Sequence, residues 1–386
     1  MYIHRIIIRN FRNFDNLDIT LFDDDLQRPL DSVLLIGPNG SGKTTLLRVI
    51  SELWDDFGAW LHSGSSPNES SKNVDSSMKI RNSQFFRNAD LVAMEIRHFD
   101  LPPSRQQPLA LFDVNDKPSS IWIYVALDKI HRQELTSLVN NSNAIFVGMT
   151  SEDNSPEYSN REYLRELTKQ KRELEIGMEN RDLLPNMVFL EAGTRNIRYL
   201  PRTVRREREF SPDPIYRWSV KYKPDILERY RPDVERYNLS INEQNIETIL
   251  GNIKLRNPDQ FNQILENIKQ FFGGAKEIVD FDDAIRLRVL INKNKKFHPL
   301  SELSAGEQQC VIMFVMVSRG LMPGGIVLID EPDLHLHESL QRHFIHELER
   351  LIHERNGQLI IASHSREMRE EFYDSKRIDL GQLETV

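Results

Sequence analysis

Gly37-Pro38-Asn39-Gly40-Ser41-Gly42-Lys43-Thr44-Thr45 fits the phosphate-loop pattern G-x-x-x-x-G-K-[ST]. Ahead of it Val33-Leu34-Leu35-Ile36 reads as a fully buried strand, and behind it Leu46-Leu47-Arg48-Val49-Ile50 continues as a helix. Strand, glycine loop and helix stand in the order such a loop needs, which a chance glycine turn would not supply. The three glycines let the backbone curl until successive N–H groups face one anion, and the helix adds the positive end of its dipole. Asn39, Gly40, Ser41, Gly42, Lys43, Thr44 and Thr45 are therefore the candidate nucleotide-binding residues. Lys43 would reach the β- and γ-phosphates of a nucleoside triphosphate, and the Thr44 hydroxyl would ligate Mg²⁺.

A chain of 386 residues, 39% of them apolar, has the material for one large or two ordinary domains with a sizeable core. Its longest apolar run, Cys310 to Val317, is far short of the roughly 20 residues that cross a bilayer. The charged N-terminal stretch lacks a signal-peptide pattern. One cysteine excludes an internal disulfide and fits a reducing compartment. The expectation is a soluble, cytoplasmic protein with no membrane partner. A net charge of −8 argues against nucleic acid coating the whole surface but leaves room for a local basic patch.

Alternation of apolar and polar residues predicts strands over 2–9 and 16–22. The turn between them carries Arg12, Asn13 and Phe14. Either these line the base side of a nucleotide, or the turn is merely polar with Phe11 and Phe14 plugging the core. The Ser-rich stretch 63–77 reads as a loop. Gln84 is a weak candidate for a glutamine that senses Mg²⁺ or the attacking water, with simple exposure as the alternative. Leu91–Arg97 and Ile121–Leu127 suit a small antiparallel β layer, and 156–180 a solvated, charged helical arm with Leu164, Leu167 and Leu174 on one side. Met187–Leu190 returns as a strand. Over 195–236, arginine and lysine outnumber acids 12 to 7 and alternate with aromatics such as Tyr199, Tyr216 and Trp218. Such a surface can hold phosphates and stack bases, so it is a candidate DNA contact; a solvated face or a dock for an acidic protein are the alternatives. One or two helices follow over 240–272, then strands near 276–280 and 284–291.

A second constellation lies near the C-terminal end. Leu303-Ser304-Ala305-Gly306-Glu307 opens a helix through a capping box in which Ser304 and Glu307 cap one another. Gly325 to Ile329 is a buried strand that ends in Asp330-Glu331. Adjacent carboxylates there suit metal-assisted phosphoryl transfer: Asp330 would hold Mg²⁺ directly or through water, and Glu331 would act as general base. Gln358 to Ser363 is another buried strand, followed by His364, whose imidazole would hydrogen-bond the γ-phosphate.

With these motifs in this order the chain resembles the ABC-type ATPases of the SMC, RecF and OLD group, including small ATPases of bacterial defence operons. The likeness rests on Ile8 to Phe14, the loop at 37–45, Ser304 to Gln309, Asp330 to His337 and Ala362-Ser363-His364-Ser365. The resemblance implies an α/β P-loop NTPase with an ABC-type head. Residues 1–150 would form its N-terminal half with the β layer, 151–275 an inserted helical and partly basic subdomain, and 276–386 its C-terminal half. It further implies ATP and Mg²⁺ as cofactors. The head would work as a homodimer or higher even oligomer in which Ser304 and Gly306 contact the ATP held by the other copy. Ser304-Ala305-Gly306-Glu307 replaces the transporter signature Ser-Gly-Gly-Gln, which argues against membrane transport. Glu338 stands where OLD-like chains commonly have proline. His335 and His337 could suggest a metal, though a capping or dimer-contact role suits them better. The implied function is an ATP-driven switch for a separately encoded effector, a nuclease or toxin, or for a DNA-processing partner, in anti-phage defence. The alternatives are a RecF- or SMC-like repair ATPase and a slow-turnover ATP-dependent scaffold.

Overall fold

Ser32–Ile36, buried throughout, is the strand from which the glycine loop leaves. In the computed structural model its neighbours on both sides come from more than 300 residues later in the chain. The structure describes residues 1–63, 85–99, 118–139, 143–151, 156–160, 163–164, 167, 185–190, 192, 219–222, 246–281, 287–293, 295–333 and 336–381.

In chain order the strands are β1 (Tyr2–Phe11), β2 (Phe14–Thr20), β3 (Phe22–Asp23), β4 (Arg28–Pro29), β5 (Ser32–Ile36), β6 (Leu91–Arg97), β7 (Ser120–Ala126), β8 (Ala144–Thr150), β9 (Pro156–Tyr158), β10 (Met187–Leu190), β11 (Ser219–Tyr222), β12 (Lys276–Phe281), β13 (Leu287–Ile291), β14 (Lys296–Pro299), β15 (Ile326–Asp330), β16 (Gln358–Ala362) and β17 (Arg377–Asp379). The helices are α1 (Lys43–Ser63), α2 (Lys129–Leu138), α3 (Ile246–Arg256), α4 (Pro258–Phe271), α5 (Ala305–Gly320), α6 (Glu338–His353) and α7 (Arg366–Glu371).

Two six-stranded sheets organise these elements. One runs β11-β10-β15-β16-β5-β17, and every pairing in it is parallel. A sheet buried on both faces needs continuous apolar strands, and its side chains divide cleanly. Val33, Leu35, Ile326, Leu328, Ile360 and Ala362 face one core, whereas Leu34, Ile36, Val327, Ile329, Leu359 and Ile361 face the other. The second sheet runs β2-β1-β6-β7-β8-β9.

Between the two sheets lies α1. Its Leu46, Leu47, Ile50, Trp54 and Phe57 join Ile3, Ile6 and Ile8 of β1 and Val33 and Leu35 of β5 in a single cluster. A helix sandwiched this way must be apolar on more than one stripe, which explains the run Leu46-Leu47-Arg48-Val49-Ile50. Helices α3 to α6 cover the opposite face of the parallel sheet. A fully buried Gln358 joins the two sheets: its Oε1 accepts the Ile3 N–H at 2.8 Å, and its Nε2 donates to the Leu30 carbonyl at 2.9 Å and the Ile3 carbonyl at 3.2 Å. Each bond is worth about 1 kcal/mol net, and stranding these buried backbone groups would cost more than that.

Several sequence expectations are corrected by these elements. The β layer is larger than two strand pairs, and β7 and β8 run parallel, with α2 as their crossover. That helix starts at Asp128, whose carboxylate accepts the N–H groups of Ile130 and His131. Leu164 and Leu167, expected on a solvated arm, are buried in the main cluster: their helical spacing marked a core-facing stripe. Met187–Leu190 is the expected strand. Gln84, Leu174, His335 and, apart from β11, the basic stretch 195–236 lie outside the described residues.

Candidate functional site

In the parallel sheet β16 separates β5 from β15, so the three loops leaving their carboxyl ends lie side by side. This is where open α/β sheets hold ligands. The three loops are the glycine loop, the Asp330-Glu331 corner and the Ser363-His364-Ser365 corner.

The glycine loop is built by backbone conformation. Gly37, Gly40 and Gly42 have φ of 147°, 87° and 95°, values that L side chains resist. At Gly42 the constraint is double, since a Cβ there would lie 2.4 Å from the ring of Phe14, itself buried in the main core. The Lys43 ammonium is buried and donates to the Gly37 carbonyl at 2.8 Å and the Pro38 carbonyl at 3.1 Å. Ser41 Oγ is buried without a hydrogen-bond partner among the described residues. A buried orphan hydroxyl in a glycine loop of this kind is a ready partner for a phosphate oxygen.

Thr44, in the first turn of α1, reaches across the end of β16 to β15. Its hydroxyl stands 3.0 Å from both carboxylate oxygens of Asp330, which is 2% exposed. Two hard oxygen ligands from residues 286 apart fit Mg²⁺, which takes few protein ligands beside substrate phosphates. Glu331 follows in a left-handed conformation, φ 46°, with its N–H bonded to the Ala362 carbonyl at 2.7 Å. This kink turns its carboxylate toward the neighbouring corner, where His364 Nδ1 lies 3.7 Å from Glu331 Oε1.

The turn after β1 fits the core-plug alternative and also touches the glycine loop. Phe11 and Phe14 plug the core, while Asn13 Nδ2 donates to the Gly40 carbonyl and so touches the glycine loop. Arg12, with φ 54°, stacks on Phe85 at 4.4 Å and on Phe11 at 5.1 Å. Burial, together with the nearby charge of Arg48, lowers its pKa.

Ser304 and Gly306 lie elsewhere. Ser304 is exposed and caps α5; Gly306, in its first turn, is buried. The capping box forms as expected, with Glu307 accepting the Ser304 N–H at 3.0 Å. Lys276 of β12 adds a bond to Glu307 at 2.6 Å. Burial disfavours the Glu307 charge, but Lys276 and the Ser304 N–H outweigh it and hold its pKa below the ordinary carboxylate value. His337 sits just ahead of α6, its carbonyl accepting the N–H groups of Leu340 and Gln341. Glu338 is the first residue of that helix, a position where proline is also well accommodated.

A family model described as an AAA ATPase domain matches residues 1–368. The chain belongs to this AAA ATPase domain family. Among solved structures, this AAA ATPase domain is similar to an SmcHead bound to the C-winged helix domain of ScpA, at 11% identity and TM-score 0.41 over 100% of both chains. It is also similar to the SMC head domain from Thermotoga maritima, at 12% identity and TM-score 0.38 over 96% of this chain and 92% of that one. A third similar structure is an Smc head domain with an extended coiled coil, bound to the C-terminal domain of ScpA derived from Pyrococcus furiosus. There the identity is 11% and the TM-score 0.37, over 96% and 91% of the two chains. No curated protein matches this chain.

Sequence reasoning missed the polar side chains around the corners. Ser363, Ser365, Asp333 and Gln341 bond to one another there. Asp333, Ser363 and Ser365 stand inside the motifs that carry the family likeness, but nothing in the sequence pairs them with one another. No helix among the described residues is long and apolar enough to cross a membrane.

Proposed function

We propose that this AAA ATPase domain binds and hydrolyses ATP and acts, as a pair of copies, as a switch for a separately encoded effector, a nuclease or toxin of anti-phage defence. The observation that carries the reading is the junction of Thr44 with Asp330 and of Glu331 with His364 beside one glycine loop. Mg²⁺ with bound ATP would supply charge neutralisation at the phosphates when held by Thr44 and Asp330. Lys43 and the loop N–H groups orient the phosphates, and Ser41 fills its missing hydrogen bond there. The Glu331 carboxylate accepts the proton of the attacking water. His364, with Nδ1 3.7 Å from Glu331 Oε1, donates a hydrogen bond on the γ-phosphate side.

Ser304 and Gly306 belong to this scheme through a second copy, whose α5 N-terminus would face the nucleotide with its free N–H groups. The effector follows from the family likeness read in the sequence, and a DNA contact from the basic stretch 195–236. Steady-state hydrolysis tests the core of the reading. Glu331→Gln lowers turnover by about 10²-fold or more, the size expected for loss of a general base, while nucleotide binding survives. An unchanged rate removes Glu331 from the mechanism. Co-purification from the native host with this variant identifies the effector.

A further inference from the structure

Glu331 and His364 stand on different loops, and a closed circuit of hydrogen bonds locks those loops together. Ser363, immediately before His364, is completely buried and donates its hydroxyl to Asp333 Oδ1 at 2.6 Å. The Ser363 hydroxyl oxygen in turn accepts the Ser365 N–H at 2.9 Å, so one hydroxyl grips the chain on both sides of His364. The Ser365 hydroxyl lies 2.7 Å from Gln341 Oε1 and 2.8 Å from Glu367 Oε2. Gln341 Nε2 donates to the Leu336 carbonyl at 3.1 Å, and the Leu336 N–H returns to the Asp333 carbonyl at 3.0 Å. On the other flank the Glu331 N–H holds the Ala362 carbonyl, one residue before Ser363.

Buried hydrogen bonds of this kind specify geometry, because every alternative arrangement leaves a desolvated polar group without a partner. Asp333, 9% exposed, would be a costly residue to bury for packing alone. Its bond to Ser363 instead spans the gap between the two loops. We propose that Ser363 and Asp333 are positioning residues that fix the spacing of Glu331 and His364, acting on turnover through those two side chains. The inference rests on the hydrolytic reading above and adds two residues to it.

The test combines kinetics with a readout on nucleotide-free protein. Ser363→Ala and Asp333→Ala each lower kcat by roughly tenfold or more, while KM for ATP stays within about twofold, as misplacement of reacting groups requires. Asp333→Asn, which keeps an oxygen acceptor for Ser363, recovers most of the rate. Adding Ser363→Ala to His364→Ala costs clearly less than it does in the wild type, because one of the two side chains it positions is gone. In the NMR spectrum of nucleotide-free protein, the His364 ring cross-peak moves in both alanine variants and returns in Asp333→Asn. Ser363→Cys keeps the volume with a weaker donor, and an intermediate kcat is expected if the alanine variant does not fold.

A wild-type kcat in the folded Ser363→Ala or Ser363→Cys variant overturns the inference. So does a further full loss in the His364→Ala background, or a His364 cross-peak that stays in place. If Glu331→Gln loses turnover while Ser363→Ala keeps it, the positioning role fails alone. If Glu331→Gln keeps full turnover, the hydrolytic reading fails, and the unmoved or displaced His364 cross-peak still decides whether Ser363 orients that ring.

Discussion

The glycine loop and the two corners opposite it hold the same site by different means. Residues 37–42 take their shape from the backbone: three glycines with positive φ and the ring of Phe14 seated where a Cβ would go. Residues 331–333 and 363–365 take theirs from side chains, through the Ser363–Asp333, Ser365–Gln341 and Gln341–Leu336 bonds. Only Glu331 shares the backbone device, as a left-handed non-glycine. A backbone-built loop is specified by its own residue types, whereas a side-chain-built corner is specified only by distant elements once they have packed. The first can present donors to any phosphate. The second can set one distance between two reacting groups.

The difference is broken most severely at Gly42. Gly42→Ala meets Phe14 at 2.4 Å with φ of 95° and should cost about 3 kcal/mol or more, from left-handed strain plus overpacking. Thermal unfolding and nucleotide binding both read this out, and a wild-type melting temperature would show that the loop is softer than its glycines imply. On the other side, Gln341→Ala removes one buried and one half-buried side-chain bond and should cost roughly 2 kcal/mol by denaturant titration, with nucleotide affinity preserved. Loss of affinity there would mean that the corners also shape the glycine loop.

Ser304→Ala tests a cap remote from both loops and should cost about 1 kcal/mol. Its partner adds a pH signature. With a folded-state pKa below its usual 4.5, Glu307 contributes stability that is complete above that value and fades as pH falls through the lowered one. Glu307→Gln therefore destabilises at neutral pH, and its unfolding midpoint converges on that of the wild type in acid. The smallest effect belongs to Arg342, paired with Glu370 and Glu371 on the exposed surface. Arg342→Ala should change stability by less than about 0.5 kcal/mol.

The same contrast explains what the sequence makes legible. Gly40, Gly42 and Lys43 announce themselves because only certain residue types tolerate their backbone and chemistry, and the Ser304–Glu307 box is readable because its partners are three residues apart. Asp330 and Glu331 could be picked out as carboxylates at a strand end, but the reach of Thr44 to Asp330 is a tertiary fact. Ser363 and Asp333 are ordinary residues until β15 and β16 pair. Strand β17, with only Ile378 apolar among its three residues, carries too little pattern to be recognised, and β14 has only four residues. The charges around Leu164 and Leu167 obscured an apolar stripe that packs into the main cluster.

The bolt at Gln358 also has a consequence in time. Ile3 waits for a partner 355 residues away, and Leu30 for the same side chain across 328. At a synthesis rate of about 5–20 residues per second, the ribosome needs roughly 15 s to over a minute to deliver that partner. During this interval β5 lacks both of its neighbours, so the nascent strand leading into the glycine loop presents two open edges. A nascent chain can carry the whole phosphate-binding motif and still be unable to assemble it until β16 arrives.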